Sequence, residues 1–288
     1  MSVCKIMVPV RGDGKHEALL SHAVALAKRF DGHVDVVHCR PRADDMLPFG
    51  VVVPASVKEH LAASADLVAD SAERELKEVF QAYCSGHDMV LVQDDQQPPA
   101  DRLSIAWHEE TGKQPAVVGR LGRLTDVIVL ARPDKARNLG YGTLEAALYE
   151  TGRLLLMVPP KPAAEVGQRM AIGWHGSTET SRAIAVAMPL LTAASDVTVI
   201  AVNTGQPMPL SGHALVEYLQ AHGIQADLRQ PKADAHHVGQ TLLAEAASAG
   251  ADSLLIGAYS QNRLRELVMG GVTRHLIDHA DLPVFMTH

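Results

Sequence analysis

Residues 169–203 read RMAIGWHGSTETSRAIAVAMPLLTAASDVTVIAVN. A short apolar run leads into a polar turn with one glycine, then an Ala/Leu-rich stretch, then a second apolar run. The order is strand, turn, helix, strand. Residues 5–40, KIMVPVRGDGKHEALLSHAVALAKRFDGHVDVVHCR, repeat it with one residue of slippage. The ends repeat as well: TDVIVLARP (125–133) answers ADSLLIGAY (251–259), and GRLLLMVPP (152–160) answers DLPVFMTH (281–288). Self-similarity in a fixed order points to one domain fold used twice. Prolines and small polar residues in PPKPAAEVGQ (159–168) break the periodicity and mark the join. The expected division is 1–158, a linker at 159–168, and 169–288.

The second half has the cleaner pattern. Strands are expected near 169–174, 196–202, 224–230, 252–257 and 283–287, and helices near 178–193, 211–222, 235–249 and 271–280. The strands are apolar and β-branched without strict alternation, as strands buried on both faces are. Alternating strands and helices with short connections predict an α/β fold, a parallel sheet with helical crossovers. The first half follows the same order, with an irregular segment from Pro41 to Ser56 before a helix near 57–85. Ligands of such sheets bind beyond the carboxyl ends of the strands, where strand order reverses. In the second half that selects Trp174–Ser177, Val202–Gly205 and Gly257–Thr273.

The last of these, GAYSQNRLRELVMGGVTRHL (257–276), decides the functional reading. Glycine at a strand end admits close backbone approach. Gly270 and Gly271 precede a helix whose N-terminus offers unpaired N–H groups and partial positive charge, a setting suited to phosphate. Arg263 and Arg265 add charge. The stretch is neither G-x4-G-K-[ST] nor G-x-G-x-x-G. A plain strand-to-helix connection also uses a glycine or two, so both readings stand.

The spacing resembles the signature of the universal stress protein family, G-x2-G-x9-G-[ST], and the resemblance extends over both halves as the tandem-domain type. It implies two five-stranded domains of the adenine-nucleotide alpha-hydrolase-like (Rossmann-like) type, paired through their last strands as an internal pseudo-dimer. It also implies ATP or AMP in the C-terminal domain. Gly257 matches the first glycine and Gly270 the third. Ser260 stands where the second glycine belongs, and Gly271 where Ser or Thr belongs. Val272 and Thr273 match the family's continuation. His175 occupies the position of an aspartate after the first strand, and Val202 that of the apolar residue against adenine. The first half departs further: Ala131 stands for Gly257, its loop is shorter, and Gly140, Gly142 and Thr143 open its helix. Its turn Arg11-Gly12-Asp13, with Lys135 and Arg137, makes a degenerate site.

The resemblance implies a non-catalytic stress-response module. The alternatives are a nucleotide-independent dimeric scaffold of the same fold and an ATP-cleaving enzyme. The partners implied are an adenine nucleotide, internal domain pairing and a homodimer. The charge balance of 26 basic against 33 acidic residues, net −7, argues against nucleic acid and anionic membranes as partners. No apolar run reaches the ~18–20 residues of a membrane span. Cys4, Cys39 and Cys84 form no disulfide framework, so a cytoplasmic protein with reduced thiols is expected. No metal site is expected among the 15 histidines. His275 and His279 lie four apart on a helix but lack the glutamate of H-E-x-x-H, and the side chains of His236 and His237 diverge. The loop WHGSTETS (174–181) matches an adenylating S-G-G-x-D-S loop poorly, and Ser177 or Thr178 is expected to cap a helix. Asp44-Asp45, Asp94-Asp95 and Glu109-Glu110 read as solvated pairs.

Overall fold

The computed structural model describes residues 3–40, 70, 73–93, 96–258 and 271–288. The N-terminal half contains β1 (Lys5–Val10), α1 (His16–Lys28), β2 (His33–Arg40) and α2 (residues 73–85), followed by β3 (Val90–Val92) and β4 (Ser104–Thr111). Then come α3 (Gln114–Leu121), β5 (Val127–Ala131), α4 (Tyr141–Glu150) and β6 (Leu154–Val158). The C-terminal half contains β7 (Arg169–Gly173), α5 (Thr178–Thr192), β8 (Asp196–Ile200), α6 (Gly212–Ala221) and β9 (Ala226–Arg229). It closes with α7 (Val238–Ser248), β10 (Ser253–Gly257), α8 (Gly271–His279) and β11 (Val284–Thr287). Residues 41–56 and the expected helix up to residue 69 lie outside the described residues, as do Asp44, Asp45, Asp94 and Asp95.

Among the described residues the strands make one eleven-stranded sheet, in the order β3-β4-β2-β1-β5-β6-β11-β10-β7-β8-β9. Each half keeps the same doubly wound order, third-second-first-fourth-fifth. The first half adds the three-residue β3 outside β4, so it departs from the expected five strands. Pairing is parallel within each half, and the halves join through their last strands, β6 against β11, antiparallel. The joint places Leu156 opposite Phe285.

A strand covered on both faces must be apolar at every position, and β6, LLLMV, is buried throughout. Its odd and even residues feed different cores. Leu154, Leu156 and Val158 join one with Ile6, Val8, Met170, Ile172 and Phe285. Leu155 and Met157 join the other with Met7, Ile128, Leu254 and Met286. Both cores therefore run through the joint. The connection between the halves is docked as well. Val166 is buried, Arg29 donates from Nη1 to the Val166 carbonyl at 3.0 Å and from Nη2 to the Ala193 carbonyl at 2.6 Å, and the Gly167 N–H meets Asp252 Oδ1 at 2.7 Å.

Helix starts follow side-chain capping where a serine is present. Ser177 Oγ accepts from Thr180 N–H, and Ser211 Oγ from Ala214 N–H, both at 3.2 Å. The thiols are unpaired with one another; burial pushes Cys39 up to about 12 and Cys84 up to about 11, so neither is a ready nucleophile. Among the described residues no helix is long and apolar enough to cross a membrane.

His22, in α1, is fully buried. Its Nδ1 lies 2.6 Å from the Ala18 carbonyl, while Nε2 has no hydrogen-bond partner among the described residues. Burial lowers its pKa below the ordinary 6.5, against the raising effect of the Ala18 contact. Between the folded and unfolded pKa values the unfolded chain binds the extra proton, so His22 costs stability as pH falls below about 6.5. His22→Leu should raise stability by about 1–2 kcal/mol at neutral pH by removing an unsatisfied buried nitrogen. The gain should grow as pH drops from 7 to 5.5, read by urea unfolding at both pH values.

Candidate functional site

The predicted nucleotide positions gather at the carboxyl ends of the C-terminal strands. Strand order reverses between β7 and β10, and His175 follows the first of these while Gly257 ends the second. Val202 lies two residues beyond β8, buried, with its neighbours tied by Ala201 N–H to the Arg229 carbonyl and Asn203 N–H to the Pro231 carbonyl. Gly271, Val272 and Thr273 form the first turn of α8, with Thr273 buried. Ser260 and Gly270 lie outside the described residues, as do Arg263 and Arg265.

Gly257 has a packing reason of its own. A Cβ there would stand 2.4 Å from Thr180 N and 2.6 Å from Glu179 C. The backbone that comes close is the first turn of α5. Next to it, His175 Nδ1 lies 3.1 Å from Thr180 Oγ1. His175 is exposed overall, but the chain against its ring desolvates it and lowers its pKa, opposed by the Glu179 charge, so it is neutral at pH 7. Burial raises Glu179, yet its own backbone N–H and the Ser177 and Thr178 hydroxyls outweigh this and hold it ionised. The described wall thus pairs helix N–H groups with one carboxylate. Among the described residues, no atom lies within 4 Å of a Cβ added at Gly271.

The equivalent place in the N-terminal half is filled by the chain itself. Gln114, opening α3, accepts from Thr143 Oγ1 at 3.1 Å and donates to the Val10 carbonyl at 3.4 Å. Arg11 pairs with Asp13 at 2.8 Å and lies over Gly140, whose φ of +93° caps α4. The cavity left among Arg11, Asp13, Gln114 and Thr143 is about 10 Å³, room for about one water and far too little for a nucleotide. Lys135 and Arg137 face Asp278 and Asp134.

Several polar groups sit differently from expectation. Glu109 and Glu110 are in β4 and ion-paired, Glu109 with Lys77 and Glu110 with Arg120, rather than merely solvated. The rings of His275 and His279 stack at 4.3 Å, and His279 Nδ1 bonds the His275 carbonyl, while His275 packs on Gly239. His33, Asp35 and His108 converge at the opposite, amino end of the sheet, a grouping that sequence reading missed. The signal available was the H-x-D spacing in β2, which places two ligand-type side chains on one sheet face; the third comes from β4.

Residues 168–288 match the model of the Universal stress protein family. The universal stress match covers the C-terminal half, and no curated protein matches the chain. Among solved structures, a universal stress protein from Archaeoglobus fulgidus DSM 4304 superposes with a TM-score of 0.68 at 12% identity, covering 100% of this chain and 99% of that one. A putative universal stress protein from Pseudomonas aeruginosa UCBPP-PA14 gives 0.55 at 16% identity, with 99% and 93% covered. A functionally unknown protein from Pseudomonas aeruginosa PAO1 gives 0.53 at 14%, with 99% and 92% covered. At these identities the likeness establishes the fold over the whole chain.

Proposed function

We propose that the chain is a non-catalytic stress-response module built from two universal stress domains, residues 1–158 and 169–288 joined by 159–168, with ATP or AMP held in the second. The observation that carries this reading is the gathering of His175, Val202, Gly257 and the N-terminus of α8 around one switch point of the second half. In the first half Gln114 and Arg11 occupy the corresponding place. Nucleotide occupancy of the second domain would be the signal and the first domain its fixed partner. The β6 and β11 edges are already paired, so in this reading a homodimer uses another surface.

Calorimetry of the full chain with ATP and AMP tests the proposal. One nucleotide per chain is expected, with no phosphate release above background. Gly271→Asp adds a carboxylate at the α8 N-terminus, where no described atom lies within 4 Å of the new Cβ. It should leave the melting temperature within a few degrees of the parent and weaken ATP at least about tenfold, the effect of roughly 1.4 kcal/mol. No binding at millimolar nucleotide would leave the nucleotide-independent scaffold. Phosphate release that G271D abolishes would mean an ATP-cleaving enzyme.

A further inference from the structure

We propose that His33, Asp35 and His108 form a binding site for a divalent first-row transition-metal cation. His33 and Asp35 alternate on one face of β2, and His108 comes from the neighbouring β4. Both imidazole Nε2 atoms converge on a single carboxylate oxygen: His33 Nε2 is 3.0 Å and His108 Nε2 2.8 Å from Asp35 Oδ1. All three ligand atoms lie within 4.8 Å of one another. His33 and Asp35 are buried, and the group lines a cavity of about 470 Å³ bounded also by Phe30, Gln93, Gln96 and Pro98.

Two imidazoles and a carboxylate suit Zn²⁺ or another borderline first-row ion, bound at ~2.0–2.2 Å with a position left for water. The two nitrogen–oxygen pairs, 3.0 and 2.8 Å apart, need to spread by only a few tenths of an ångström for such an ion. The outer contacts suit it too. Ser104 Oγ is 2.9 Å from His33 Nδ1 and accepts a hydrogen bond from the Nδ1–H when Nε2 binds metal, which fixes the tautomer. In the metal-free cluster both Nε2 atoms must carry hydrogen to bond one carboxylate oxygen. Metal binding shifts each proton to Nδ1 or releases it. Lys5 Nζ, 3.0 Å from Asp35 Oδ2 and half-exposed, opposes a cation by its charge. This gives the site a second test: Lys5→Met should tighten metal binding severalfold, a change that a purely hydrogen-bonded cluster does not predict.

The test uses full-length protein stripped with chelator, titrated with Zn²⁺ by calorimetry and with Co²⁺ by visible absorption. One Zn²⁺ per chain is expected, and Co²⁺ should show the intense d–d bands of a four- or five-coordinate ion. His108→Gln and Asp35→Asn should each weaken Zn²⁺ by more than about 100-fold, beyond an outer-shell change, and Ser104→Ala by about tenfold. His275→Gln with His279→Gln should leave binding unchanged. No stoichiometric Zn²⁺ uptake, weak octahedral Co²⁺ bands in the parent protein, or parent-like affinity in H108Q or D35N would overturn the proposal. Thermal melts identify a variant that fails to fold. The parent Co²⁺ spectrum and the K5M affinity then decide without it.

Discussion

Gly257→Ala is expected to destabilise the protein by about 3 kcal/mol, at the top of the range for overpacking a close-packed site. The new methyl would sit 2.4 Å from Thr180 N, 2.6 Å from Glu179 C and 2.8 Å from Thr180 Cα. These are backbone atoms, so no rotamer change relieves them; α5 must back away from β10 as a body. That movement also disturbs the Ser177 cap and the His175–Thr180 contact, both in the same turn. Urea unfolding with and without ATP checks the expectation. The loss should be as large without nucleotide as with it, because the clash lies within the chain. A loss under 1 kcal/mol would mean that α5 does not press on β10 as closely as the structure places it. In the N-terminal half Ala131 occupies this position, at the end of β5.

The same glycine shows where sequence reading reaches its limit. A glycine at a strand end has one spelling for two causes, approach of a ligand and approach of a helix, and only the packed backbone separates them. Periodicity did better. Expected strands at 169–174 and 252–257 appear as Arg169–Gly173 and Ser253–Gly257, because each centres on a short run, Met170–Ile172 and Leu254–Ile256, that is apolar and buried at every position. The helix expected at 178 begins at Thr178 because Ser177 supplies the cap. The helix expected at 235–249 instead opens with a 3-10 turn at Ala235–His237 before α7. The pairing of the two halves through their last strands came from family resemblance, since no residue in LLLMV or VFMT names its neighbour. Gln114 gave no sign either, as it fills the first-half site only once α3 and α4 are side by side. His33, Asp35 and His108 were illegible for a related reason. Their meeting depends on the parallel register of β2 and β4, whose sequences lie about 70 residues apart.

Phe285→Ala is expected to cost about 3–5 kcal/mol, the usual loss for a fully buried phenylalanine. Its location makes the consequence wider than a local cavity. Phe285 pairs in register with Leu255 of β10 on one side and Leu156 of β6 on the other. An added Cβ on Gly167, in the connection between the halves, would lie 3.9 Å from its ring. The side chain therefore belongs to the core that continues across both halves. If that core makes the halves one cooperative unit, the variant should unfold in a single transition with an unchanged denaturant slope and a lower midpoint. Hydrogen exchange should quicken at the amides of Leu154–Val158 in β6 as much as at Val284–Thr287 in β11, since opening the joint exposes both strands. Faster exchange confined to β10 and β11 would show instead that each half keeps its own stability. The antiparallel joint would then be a docking contact between two separately folding domains.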